Sequence, residues 1–162
     1  MPVRAELFRA ALSRFASGVT VVTARREDGL PQGLTVSAFT SLSLDPPLVL
    51  VCIDKHARSH DVLARSSHFA VHILRDDQEY LSRHFSSSLP EGELFRGIAT
   101  RTGLGSAPLL EDALVTIECS RVGACDGGDH TIYLGQVERV DIRDGKPLLY
   151  YRSAYRTLAR VS

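Results

Sequence analysis

The chain has 162 residues, 44% of them hydrophobic, enough for one domain that buries roughly two thirds of its unfolded surface. Nineteen basic side chains balance nineteen acidic ones, with no basic block or acidic tail, which argues against nucleic-acid or anionic-membrane binding. The longest apolar run, Leu48 to Ile53, is far short of the roughly 20 residues that span a bilayer, and Glu6 and Arg9 stand where a signal peptide needs an apolar core, so a single cytoplasmic domain over 1–162 is expected.

Phe8, Leu12 and Phe15 recur at helical spacing before Gly18, so residues 3–17 read as an N-terminal helix. VTVVTARR (19–26) is β-branched and runs into a turn signal at Asp28-Gly29. LTVSAFTSLSL (34–44) then resumes strand composition, which predicts a hairpin. Pro46 and Pro47 cannot donate to a ladder and must break the strands around them. LVLVCID (48–54) is apolar on both faces, the pattern of a strand covered on two sides. Ser59-His60-Asp61 is a helix start, FAVHIL (69–74) a strand, and DDQEYLSRHF (76–85) a short helix capped by Asp76 or Asp77, with Leu81 and Phe85 one turn apart. Residues 86–108 lack periodicity and are rich in Ser, Gly and Pro, the mark of a long functional or mobile excursion. Three further strand-like runs follow at 113–125, 130–143 and 146–152. Strands outnumber helices without βαβ alternation, so the class is mainly β: an antiparallel barrel with an N-terminal helix and short peripheral helices.

Cys52, Cys119 and Cys125 are odd in number with no C-x-x-C, and they read as buried thiols. No P-loop, G-x-G-x-x-G, G-x-S-x-G or H-E-x-x-H occurs. His56, His60, Asp54 and Asp61 gather near one turn but lack the helical pair of a zinc hydrolase, and no metal is expected.

Four clusters carry the candidate chemistry. Thr35, Ser37, Thr40, Ser41 and Ser43 place hydroxyls along one strand, its odd-numbered members on one face. A half-solvated strand accounts for them; so does a polar edge for a planar heterocycle such as a flavin, whose ring exchanges water for short hydroxyls and backbone amides. Lys55, His56, Arg58 and Ser59 follow LVLVCID, as a solvated basic turn or as a phosphate site at a helix start. In GGDHTIYLGQV (127–137) two glycines permit close approach and Asp129 can orient His130, which is either structural or functional. Tyr150, Tyr151 and Tyr155 suit aromatic packing or stacking on a ring.

Taken in order, FASGVTVVTARREDGLPQGLTVSAFTSLSLDPPLVLVCIDKHARSH, FAVHIL, DDQEYLSRHF, FRG, APLLEDALVTIEC, GGDHTIYLGQV and GKPLLYYRSAY resemble the flavin reductase-like family, more narrowly the reductase component of two-component flavin-dependent monooxygenases. The likeness runs from about Phe15 to Tyr155. It implies a split β-barrel of the FMN-binding type, a homodimer with flavin sites at or near its interface, and NADH- or NADPH-dependent reduction of FMN or FAD. Reduced flavin would then diffuse to a separate oxygenase. By position it implies a flavin-contacting loop at Thr35, Val36, Ser37 and Ala38; strand-end and phosphate contacts at Cys52, Ile53, Asp54, Lys55 and Ser59; a GDH motif at Gly128-Asp129-His130 beside the nicotinamide; and a contact at Tyr155. His72 departs from the Asn that many members carry, which leaves its role open. Two other readings stay in view: a flavin-storing module without turnover, and an FMN-dependent oxidase of the same barrel type.

Overall fold

The computed structural model describes residues 2–90 and 92–159. Its helices are α1 (Ala5–Leu12), α2 (His60–Arg65) and α3 (Glu79–Phe85). The strands are β1 (Ser17–Gly18), β2 (Thr20–Arg25), β3 (Pro31–Val36), β4 (Phe39–Leu44), β5 (Pro47–Asp54), β6 (His68–Ile73), β7 (Thr100–Thr102), β8 (Pro108–Leu110), β9 (Val115–Gly127), β10 (His130–Ile142), β11 (Leu149–Tyr151) and β12 (Ala154–Arg156).

Seven strands form one antiparallel sheet in the order β3-β2-β6-β9-β10-β5-β4. Its two outermost strands, β3 and β4, are joined by only Ser37 and Ala38. A sheet whose opposite edges are that close along the chain must curl until the edges meet, which makes the barrel. At this corner the amide of Cys52 donates to the carbonyl of Ala38 at 2.9 Å. The expected single strand over 34–44 is therefore two strands belonging to different hairpins. Strand-forming residues flank Ser37 and Ala38 on both sides, and no Gly, Pro, Asn or Asp marks the break.

Inward-facing side chains alternate along the strands. Val22, Val36, Val51, Ile53, Phe69, Val71 and Tyr133 fill the barrel together with Val62 and Leu63 of α2. On the outer side of β2 and β6, Val21 and Leu74 pack under Leu81 and Phe85 of α3. β2 and β6 are thus buried on both faces. β5 is not: Val49, Val51 and Ile53 are buried while Leu48, Leu50 and Cys52 are half-covered, because its outer face has no helix over it.

His72 on β6 is fully buried and spans three strands. The Leu110 amide of β8 donates to its Nε2 at 3.1 Å, which makes Nε2 the bare nitrogen, and Nδ1–H donates to the Val21 carbonyl of β2 at 3.0 Å. Loss of solvation is the main reason its imidazole is held down at about 4; the Val21 carbonyl opposes that and the charge of Arg101 assists it.

Several local expectations shift. α1 ends at Leu12, where Ser13 turns aside and its carbonyl accepts the Arg152 amide at 2.8 Å. Every α1 residue is exposed, including Leu7, Phe8 and Leu12 at 54–57%. At α3 the cap position belongs to Gln78, not Asp76 or Asp77. Gln78 Oε1 accepts the Arg75 amide and its Nε2 donates to the Asp112 carbonyl, while Asp77 pairs with Arg75. The excursion after α3 contains the β7–β8 hairpin, so only its first half is irregular. Cys119 is buried and its thiol pushed up to about 12, chiefly by desolvation; Cys52 is half-buried, and Cys125 is exposed on the hairpin beyond the barrel.

Candidate functional site

After β5 the chain winds through tight turns. Asp54 Oδ1 accepts the His56 amide at 2.8 Å, the Asp54 carbonyl accepts Ala57 N–H at 3.0 Å, and the Ala57 carbonyl accepts His60 N–H at 2.9 Å. These turns deliver Arg58 and Ser59 to the mouth of a cavity of about 790 Å3 between β3, this segment and the loop after α3. Ser59 is buried at the start of α2, and among the described residues its hydroxyl makes no capping hydrogen bond. It lines the cavity together with the hydroxyl residues Thr35, Ser86, Ser87 and Ser88 and with Arg26, His56 and Arg58. The lining holds no carboxylate among the described residues. Such a surface favours an anion that also accepts hydrogen bonds.

The opposite wall is set by close packing. A Cβ at Gly33 would stand 2.8 Å from Phe85 and 3.2 Å from Phe95, whose rings meet edge-on at 5.2 Å, so only glycine lets this aromatic pair reach the β3 backbone. Arg58 donates to the Leu89 carbonyl at 2.8 Å, and His84 and the Leu94 carbonyl lie 2.6 Å apart; both contacts tie the loop down.

The sequence-derived residues fall into five places. Thr35 and Ser59 lie in the cavity. Ser37, Ala38 and Cys52 meet at the adjoining corner, Ser37 and Ala38 exposed, whereas the side chains of Val36 and Ile53 point into the barrel. Asp54, Lys55 and His130 sit at the tip of the β9–β10 hairpin. There Lys55 Nζ bonds the Asp126 carboxylate and the Gly128 carbonyl, and its amide donates to the Asp129 carbonyl at 2.9 Å. The ammonium is thereby committed to the hairpin and holds the Asp126 carboxyl below its ordinary range. His130, in register with Asp54, donates Nδ1–H to Asp129 at 2.7 Å, and its Nε2 has no hydrogen-bond partner among the described residues; the Nδ1 bond is the main reason the Asp129 carboxyl is also held down. Tyr155 lies behind α3. Its hydroxyl shares a 2.8 Å hydrogen bond with that of Ser82, whose carbonyl accepts Thr35 Oγ1 at 2.6 Å, and Arg83 stacks over the Tyr155 ring at 4.9 Å. Tyr155 therefore reaches the cavity only through α3. The sequence reading missed Arg26 and Ser86–Ser88; the SSS run opening the aperiodic loop was their one visible signal.

Residues 12–159 match the family described as flavin reductase like domain. This chain belongs to that family. It is 42% identical over 153 residues to the NADH-dependent flavin reductase of a Rhodococcus species, covering 93% of this chain and 84% of that protein. The reductase component of 4-hydroxyphenylacetate 3-monooxygenase from Thermus thermophilus is 41% identical over 154 residues, covering 94% of this chain and 96% of the relative. Among solved structures, the NADH:FAD oxidoreductase of Streptomyces globisporus C-1027 superposes with a TM-score of 0.91 at 35% identity, over 99% of this chain and 96% of that one. The mainly β, antiparallel class read from the sequence is the split barrel of these flavin reductases.

Proposed function

We infer that this chain is an NAD(P)H:flavin oxidoreductase whose reduced flavin leaves for a separate oxygenase. The observation that carries the site assignment is the cavity rich in hydroxyls and guanidinium groups, which fits the phosphate-bearing tail of a flavin. Bound flavin supplies the chemistry, since its N5 accepts hydride from nicotinamide C4 without a protein nucleophile.

The chain's own part is binding and alignment. Arg26, Arg58 and Ser59 hold the phosphate, with the serines after α3 completing the shell. Thr35, Ser37 and the backbone around Ala38 face the polar edge of the ring, and Cys52 forms the half-covered surface beside it. Thr35 is steadied from behind by Ser82. Lys55 acts one step removed, by fixing the hairpin tip that carries His130. The Nε2 of His130 contacts the nicotinamide carboxamide, and Asp129 sets its tautomer.

The exposed apolar face of α1, with Phe15 80% exposed, supports a homodimer in which a second copy covers it. No described helix is long and apolar enough to cross a membrane. The test is oxidation of NADH and of NADPH in the presence of riboflavin, FMN or FAD, followed by loss of the reduced-nicotinamide absorbance. Turnover that depends on added flavin is expected. Flavin binding without any nicotinamide oxidation would make the protein a storage module and defeat the assignment.

A further inference from the structure

α3 is only seven residues long, too short to hold its position without its neighbours. At Ser82 its internal ladder is weak, since the Ser82 amide reaches the Gln78 carbonyl only at 3.4 Å. What fixes this turn comes from outside the helix. The Ser82 side chain is fully buried, and its hydroxyl shares a 2.8 Å hydrogen bond with the hydroxyl of Tyr155 on β12. The carbonyl of the same residue accepts Thr35 Oγ1 at 2.6 Å, and Thr35 lines the larger cavity. Ser82 is thus gripped by its side chain from β12 and grips the cavity wall by its main chain.

The Tyr155 ring does not need its hydroxyl to stay in place. Tyr150 meets it edge-on with ring centres 5.3 Å apart, and Arg83, itself paired with Glu79 at 2.6 Å, lies over it at 4.9 Å. Thr35 spends its hydroxyl proton on Ser82, so toward the cavity it offers lone pairs alone, the polarity that receives a ring N–H or a ribityl hydroxyl. We propose that Tyr155 is a positioning residue for the flavin: its hydroxyl, acting through Ser82, holds Thr35 in the orientation that accepts a hydrogen bond from the flavin, without touching the flavin itself. This rests on the placing of flavin against Thr35.

Tyr155→Phe in the full chain, set in a double-mutant cycle with Thr35→Val, tests it. Titration with FMN should show binding weakened about three- to tenfold by Tyr155→Phe, and weakened no further by it when Thr35→Val is already present. In turnover the apparent KM for FMN should rise by the same factor, with kcat at saturating FMN and the KM for NADH unchanged. Ser82→Ala removes the same bond from the other side and should reproduce the loss, even if Tyr155→Phe does not fold. Thr35→Ser, which keeps the donor, should retain the response to Tyr155→Phe. A loss of equal size with and without Thr35→Val would mean that the Tyr155 hydroxyl serves the fold at large and would overturn the proposal, as would FMN affinity unmoved by Tyr155→Phe. FMN affinity unmoved by Thr35→Val would overturn the placing of flavin against Thr35, and the proposal with it.

Discussion

Protonating His72 should cost the fold more than protonating any ordinary surface histidine. Its Nε2 accepts the Leu110 amide, and a proton there would set two donors against each other in a site with no access to water. The imidazole titrates at about 4 when folded and near 6.5 when solvated. Between those values the unfolded chain binds the extra proton and the folded chain does not, so stability rises with pH through this window. The contribution is fully present above about pH 6.5 and is lost as pH falls toward 4. The whole gap corresponds to roughly 3 kcal/mol, of which about 2 kcal/mol is gone between pH 7.5 and pH 5. Urea unfolding of the native protein and of His72→Gln at a fixed protein concentration isolates this term, because glutamine has nothing to titrate. At pH 7.5 the variant should be less stable by about 1 to 3 kcal/mol, and at pH 5 the difference should have moved by about 2 kcal/mol in the variant's favour. Parallel stability profiles for the two proteins would refute the reasoning.

Three further outcomes concern the site. Ser37→Leu places a bulky apolar side chain at the barrel corner and should weaken flavin binding by about 1 to 3 kcal/mol in a fluorescence titration, with the fold intact by circular dichroism. Arg58→Ala should erase most of the preference for FMN over riboflavin at low salt, whereas Lys55→Ala, whose ammonium is already paired with the exposed Asp126, should retain it with little change in stability. His130→Ala should leave flavin affinity nearly unchanged but raise the apparent KM for NADH or slow reduction in stopped flow by roughly ten- to hundredfold, about 1.4 to 2.8 kcal/mol of lost positioning.

What could be read in the sequence was what is decided locally. The Leu81–Phe85 spacing, the helix start at Ser59 and the β6 run FAVHIL are nearest-neighbour patterns, and each appears where the periodicity put it. The corner at Ser37–Ala38 was illegible because it is imposed by two edges of the sheet coming together, while the side chains on both sides remain good strand formers. Lys55 looked like a phosphate ligand because its sequence neighbours are basic. Its carboxylate partner arrives 71 residues later on another strand. The same holds for His72, whose two partners lie 51 and 38 residues away. Long-range pairing of this kind leaves no mark in a window of a dozen residues.

The strand order also dictates what the ribosome exposes. The β2–β3 and β4–β5 hairpins and β6 are complete by Ile73, yet the space between β6 and β5 is filled only by β9 and β10, which end at Ile142. A nascent chain caught between these points carries two ladder edges, on β6 and β5, with their amides and carbonyls unpaired. At elongation of about 5–20 residues per second the interval lasts roughly 3 to 14 s, long compared with the microseconds a hairpin needs to form. Synthesis, rather than the finished barrel, is thus the stage at which this protein is most open to strand capture by its neighbours, and slowing translation across the excursion after α3 would prolong that exposure.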